Sequence, residues 1–152
     1  MTDLALRANS ELVAVAWIGS IPGLSTSMVG GTLPADASKW AANGFVEVTP
    51  AGSTPAIDYS LRKPVVTAHC WAVTPGSSKP PKGQAANLAE TVAAACRDES
   101  TVRRTLTLPV AGYPQAQLRA AIVRADPRPS YGDVGNYAHY VLDIELDWIE
   151  LP

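Results

Sequence analysis

The last run of the chain, "YAHYVLDIELDWIEL" from Tyr137 to Leu151, constrains the fold more than any other stretch. Successive residues of a strand point to opposite faces of its sheet. Tyr140, Leu142, Ile144, Leu146 and Trp148 therefore share one face, and His139, Val141, Asp143, Glu145 and Asp147 share the other. The first set is a core face and the second is strongly acidic. Such a strand needs neighbours to pair with and a layer to bury its apolar side. The rest of the chain has to supply both.

"RKPVVTAHCWAV", from Arg62 to Val73, reads as a second strand. Pro64 cannot donate a ladder bond, so it belongs near the strand's beginning. Val66, Ala68, Cys70 and Ala72 share one face, and Val65, Thr67, His69, Trp71 and Val73 share the other. Neither face is fully polar, which predicts a central strand covered on both sides. The Ala/Cys face is narrow and would let a helix pack close. "TPGSSKPPKGQAANLAETVAAACRDES" supplies that helix. Ser77 and Ser78 lie just before it, and its prolines suit a first turn whose amides are orphaned anyway. Its apolar stripe is Ala85, Leu88, Val92 and Cys96 (or Ala95).

The remaining elements are read the same way. "TDLALRANSELVAVAWIGSI" predicts a first helix, capped by Thr2 or Asp3 and ended by Gly19, Pro22 and Gly23. Leu4, Ala8, Leu12, Val15 and Ala16 form its stripe. "SMVGGTLP" fits an extended edge segment, and "DASKWAANG" a short helical turn between Asp36 and Gly44. "GFVEVTP" alternates like a strand, and "PAGSTPA" is turn-rich. "VRRTLTLPV" and "QAQLRAAIVRAD" predict two further strands. "PRPSYGDVGN" predicts a mobile hairpin loop, too rich in proline and glycine to continue a ladder. The expected fold class is α+β. It is a single domain over 1–152, with a mixed or antiparallel sheet, an N-terminal helix and a second helix packed on the sheet.

Composition agrees with this. A chain of 152 residues can bury a core without disulfide or metal staples. Charged residues make up 17% and hydrophobic ones 47%, which suits a compact fold that also hides surface against copies of itself. The net charge is −2 and no block of lysines or arginines stands out, so a sequence-independent grip on nucleic acid is not indicated. No apolar stretch reaches the roughly 18 residues that span a membrane. "MTDLAL" does not read as a secretion signal, so maturation in a cytosol is expected. There, Cys70 and Cys96 do not make a disulfide framework.

Each candidate for chemistry meets a physical objection. His69 and Cys70 are adjacent on a strand, so they point to opposite faces and cannot share a metal or act as a nucleophile and base. A zinc site wants three or four ligands, and two histidines and two cysteines in no CxxC or HxxxH spacing do not provide them. His69 and His139 would lie near each other if their two strands pair. Burial with a backbone hydrogen bond is the commoner fate of such histidines. There is no GxSxG elbow. His139 and Asp143 share a face but stand roughly 13 Å apart at about 3.3 Å per residue. Cys70 and Cys96 both read as core rather than as exposed thiols. "MVGGTLP" lacks the Gly-Lys-Ser/Thr of a phosphate loop. Asp143, Glu145 and Asp147 read as a solvated outer face, or more sharply as the negative lining of a channel. Arg103 and Arg104, adjacent at a strand start, face opposite ways and suit subunit salt bridges or plain solvent. No enzyme, cofactor or metal site is expected.

The order of features goes further. A helix opens the chain, followed by "GTLP", "GFVEV", "LRKPVVTAHCWA", "SSKPPKGQAANLAE" leading into a helix, and a long final strand. Over most of its length the chain resembles the tail terminator proteins of long-tailed (siphovirus) phages of actinobacteria, which are structurally similar to the terminator of phage lambda. "LRKPVVTAHCWA" followed by "SSKPPKGQAANLAE" is the most telling piece. These are packing and turn motifs. Lys82 departs from the pattern, standing where an aromatic is expected after the double proline. The resemblance implies a virion structural protein at the tail–head junction, a homo-oligomer of six subunits. Such a ring caps the tail tube, stops its polymerisation and offers a surface to a head-side neck protein, while double-stranded DNA only passes through its channel. The loops 50–61 and 127–136 could then reach neighbouring rings. The alternative is a head-side stopper or adaptor of the same connector.

Overall fold

The computed structural model describes residues 9–53, 61–130 and 136–151. Its first helix, α1 (Ser10–Gly19), starts where Asn9 adopts an extended backbone and its side chain accepts a hydrogen bond from the Leu12 amide. Thr2 and Asp3, the expected caps, lie outside the described residues, as do Leu4 and Ala8. The expected stripe is out of phase. Val13, Ala14, Trp17 and Ile18 are buried, while Leu12, Val15 and Ala16 are only partly so. The helix is apolar nearly all round, so periodicity alone could not orient it. The Trp17 indole fixes the phase by donating 2.7 Å to the Thr101 carbonyl.

After α1 come the two-residue strand β1 (Val29–Gly30), a 3-10 turn over Ala37–Lys39, and β2 (Phe45–Ser53). The turn is capped by Asp36, whose carboxylate accepts from the Ser38 amide. Gly44 ends the segment at φ +82°, 2.9 Å from the Trp71 carbonyl where a Cβ would stand, so only glycine fits. β2 runs on through "PAGS", shifting register between Pro50 and Gly52, so the expected loop begins later than the turn residues imply. Residues 54–60 of that loop lie outside the described residues. β3 (Leu61–Arg62) and β4 (Pro64–Val73) follow, then α2 (Lys82–Cys96). The prolines precede α2 rather than entering its first turn, with Pro81 at the N-cap. Lys82 is exposed, so its departure from the pattern costs no packing.

"VRRTLTLPV" forms only a two-residue strand, β5 (Thr105–Leu106). Asp98 instead caps a helical turn, α3 (Glu99–Val102), by accepting from the Ser100 amide. β6 (Ala116–Pro129) and β7 (Tyr137–Glu150) complete the fold. β6 runs through "PRP", against the expectation of a loop there, and pairs Arg128 with Val141 and Pro129 with Tyr140. Beyond Ala116 and Gln117, which pair with β5, no described strand lies on its outer side. A proline on such an edge removes no ladder bond. Residues 131–135 of the expected hairpin loop lie outside the described residues.

The architecture is α+β, with seven strands in one sheet ordered β1-β2-β4-β7-β6-β5 and β3 paired beside β4 on β7. β1 is parallel to β2, and the other pairings are antiparallel. α2 lies across β4, β7 and β6, and α1 packs on β2. The expected Ala/Cys face of β4 receives α2, with Ala72, Ala85 and Ala138 in contact at full burial. Leu142, Ile144, Leu146 and Trp148 of β7 are buried on the same side, as the alternation requires.

Cys70 and Cys96 are both free and buried, and burial pushes each thiol up to about 12. The thiolate is the reactive form. Native protein should therefore leave both cysteines unlabelled by an aromatic disulfide reagent, and unfolding in urea should release both. Rapid labelling of either in the native state would contradict this core.

Candidate functional site

Among the described residues, helices cover one face of the sheet, and the opposite face is only partly covered. At one end the segment before β2 folds over it. Trp40 is buried there against Phe45 and Val73, with its ring 6.0 Å from that of Tyr137. The rest of β4's second face is half-buried, so the expected cover is present at that end alone. Val65, Thr67, His69 and Trp71 lie on this open part. Opposite them on β7 stand Glu145, Asp143, Val141 and His139 in turn.

Pairing β4 with β7 sets Trp71 opposite His139 and His69 opposite Val141. His69 Nδ1 and His139 Nε2 are 2.9 Å apart. With ring centroids 5.0 Å apart and 26° between planes, the two imidazoles lie edge to edge rather than one over the other. His139 does stack on Trp71, at 3.9 Å and 6°. On the far side of His69, Nε2 is 2.9 Å from Thr49 Oγ1 on β2. Glu47, also on β2, accepts 3.3 Å bonds from the Trp71 indole and the Leu33 amide. Burial holds the His69 pKa below the usual histidine value and the charge of Arg128 adds to this, while the charges of Glu47 and Asp143 oppose the shift. Cys70, on the other face, takes no part. Among the described residues no group of three or more His, Cys, Asp or Glu could hold a metal ion.

The acidic row differs from its expectation. Glu145 and Asp147 are buried, at 7% and 9% exposure, so they do not form a solvated face. Arginines of β6 reach across to the row. Arg124 bonds Glu145 through Nε and Nη2, and Arg128 lies 3.5 Å from Asp143, which also accepts 2.7 Å from Thr67 Oγ1. Cross-strand pairing has thus balanced charge that the strand alone leaves bare. Burial alone would raise the Glu145 pKa. Hydrogen bonds from Arg124 and Asp147, and the Arg124 charge, bring it below the usual range. Asp147 is pushed up to about 6, by burial first and then by the hydrogen bond and charge of Glu145. Its Oδ1 is buried without a hydrogen-bond partner. Two of the three acids are therefore withdrawn from solvent in the single chain, and Asp143 alone of the row is partly exposed.

Arg103 and Arg104 do not start a strand: Arg103 is the C-cap of α3, and β5 begins only at Thr105. Arg103 is exposed. Arg104 turns inward and donates to the carbonyl and, at 3.0 Å, to the hydroxyl of Ser20, tying down the end of α1. A contact to another subunit is not needed to explain it. Sequence reasoning missed Thr49, Glu47, Arg124 and Arg128. The strand period gave Thr49 and Glu47 a shared face. Bulges in β6 hid the facing of the two arginines.

The chain matches no family model, and no curated protein matches it.

Proposed function

We propose that the chain is a structural ring subunit, a tail terminator of a long-tailed phage. It caps the finished tail tube, ends its polymerisation and offers the head-joining surface. The observation that carries this reading is the unit formed by the two stretches that bear the resemblance. "LRKPVVTAHCWA" lies in β3 and β4, near the middle of the sheet, and "SSKPPKGQAANLAE" leads into α2, which rests on β4.

A closed ring of identical subunits needs a heterologous interface, in which one patch fits a different patch of the next subunit. The open face has a suitable character: half-buried, with aromatic, apolar and charge-paired polar side chains. Long free strand edges, which would also favour such pairing, are blunted here. β2 is bulged between Pro50 and Gly52, and β6 shifts register at three places and carries Pro127 and Pro129. Bulges and prolines of this kind discourage strand addition. Subunits of the proposed ring therefore meet through faces and loops, with exposed Arg103 free to contribute. The tail tube protein and a head-side neck protein are its partners, and DNA passes through.

Purified protein added to growing tail tubes should stop their lengthening and appear as a ring at one end. Tubes of the same uncontrolled length with and without it, bare at both ends, would overturn the reading. A head-side stopper would leave tube length alone and bind filled heads instead.

A further inference from the structure

Thr49, His69 and His139 join three adjacent strands of the open face, β2, β4 and β7, through two hydrogen bonds of 2.9 Å. Neither the core nor the proposed assembly requires this chain. A proton count shows what it can do. Two neutral imidazoles have four ring nitrogens and two N–H hydrogens between them. One hydrogen must lie between His69 Nδ1 and His139 Nε2, because two facing lone pairs would repel. One added proton brings the total to three, and a single bare nitrogen can still be the acceptor of that bond. The bond then persists and is strengthened by charge. A second added proton fills all four nitrogens. Two N–H groups on two cationic rings would then face each other at 2.9 Å. No placement of the hydrogens avoids that.

We propose that the Thr49–His69–His139 chain is a proton-sensitive latch on the open face. It takes up one proton without rearranging, and separates the β4 histidine from the β7 histidine when it takes up a second. The charges around it come from each neighbouring strand: Glu47 on β2, Asp143 on β7 and Arg128 on β6. The two carboxylates favour the first proton, while burial and Arg128 oppose charge on His69. Trp71, stacked on His139, offers a ring face that tolerates a cation. Opening would unstack or shift the His139 ring, so acid would loosen the half-buried surface while the helix-covered core stays intact.

The test is a long-range proton–nitrogen NMR titration of the imidazoles in the whole protein from pH 8 to 4. Two protonation steps should appear, separated by about one pH unit or more. The signal of the shared hydrogen should survive the upper step and vanish at the lower one. In His139→Ala, His69 should titrate in one step, at a higher pH than the lower step of the wild type. In His69→Gln, His139 should likewise show one step. Both histidines titrating together in one step, with midpoints indifferent to loss of the other, would overturn the latch. The wild-type titration decides the question even if a variant fails to fold.

Discussion

Trp148→Ala is expected to destabilise the protein by about 4 kcal/mol, the range for losing a buried indole from a packed core. Trp148 is 1% exposed in β7, between Leu118 of β6 and Arg62 of β3. Its indole donates 3.3 Å to Ser10 Oγ at the start of α1, and the Arg62 guanidinium stands 5.2 Å from the ring centroid. Truncation would empty a site bounded by strands on both sides and by a helix start, none of which can easily collapse inward. Since single domains are stable by only about 5–15 kcal/mol, the loss should be plain as a lowered urea midpoint. Trp148→Phe keeps most of the volume and should cost clearly less. Asp143→Asn supplies the contrast from the opposite face of the same strand. Its partners Arg128 and Thr67 are partly exposed, so the change should stay within about 1 kcal/mol. Equal damage from Trp148→Ala and Asp143→Asn would refute the assignment of the two faces.

That assignment was legible in the sequence because β7 and the centre of β4 keep a strict period of two. Regular geometry then fixes which side chains share a face, whatever the neighbours are. The same rule separated His69 from Cys70 and made the meeting of His69 with His139 conditional on one pairing, which the fold makes. Legibility failed where the period breaks or carries no contrast. α1 is apolar nearly all round, so its phase depends on contacts with distant residues such as the Trp17–Thr101 bond. In β6 the register shifts between Leu118 and Ala120, between Val123 and Ala125, and between Ala125 and Arg128. Parity counting therefore could not show that Arg124 and Arg128 reach the acids of β7. "PRP" reads as a chain break because the local sequence does not show that, among the described residues, no strand pairs with the outer side of β6 there. The candidate site depends on pairings between residues 14 to 76 positions apart, which a local pattern does not encode.

Asp147→Asn should stabilise the protein at pH 8, and the gain should fade on acidification. Asp147 is 9% exposed, its Oδ1 has no partner, and Glu145 is hydrogen-bonded beside it. Burial, and then Glu145, push its pKa up to about 6 from an ordinary 3.8. A carboxyl whose folded pKa lies above its unfolded value favours folding in its protonated form. That contribution is fully present below the unfolded value and is lost as pH rises through the folded one. Above about pH 6 the wild type therefore carries a buried, repelled carboxylate, a burden of about 3 kcal/mol by the size of the shift. Asparagine stays neutral at every pH and its amide can donate to Glu145 as the protonated acid does. The variant should thus exceed the wild type by about 3 kcal/mol at pH 8 and by much less near pH 4. His69 acts in the opposite sense: with its folded pKa lowered, it contributes stability above its unfolded value that is lost as pH falls. It does so in both proteins, so it cancels in the difference. Urea midpoints at several pH values measure this directly. A gain of the same size at pH 4 and pH 8 would show that Asp147 does not hold its proton near neutrality, and a loss at pH 8 would show that its charge is compensated by a partner.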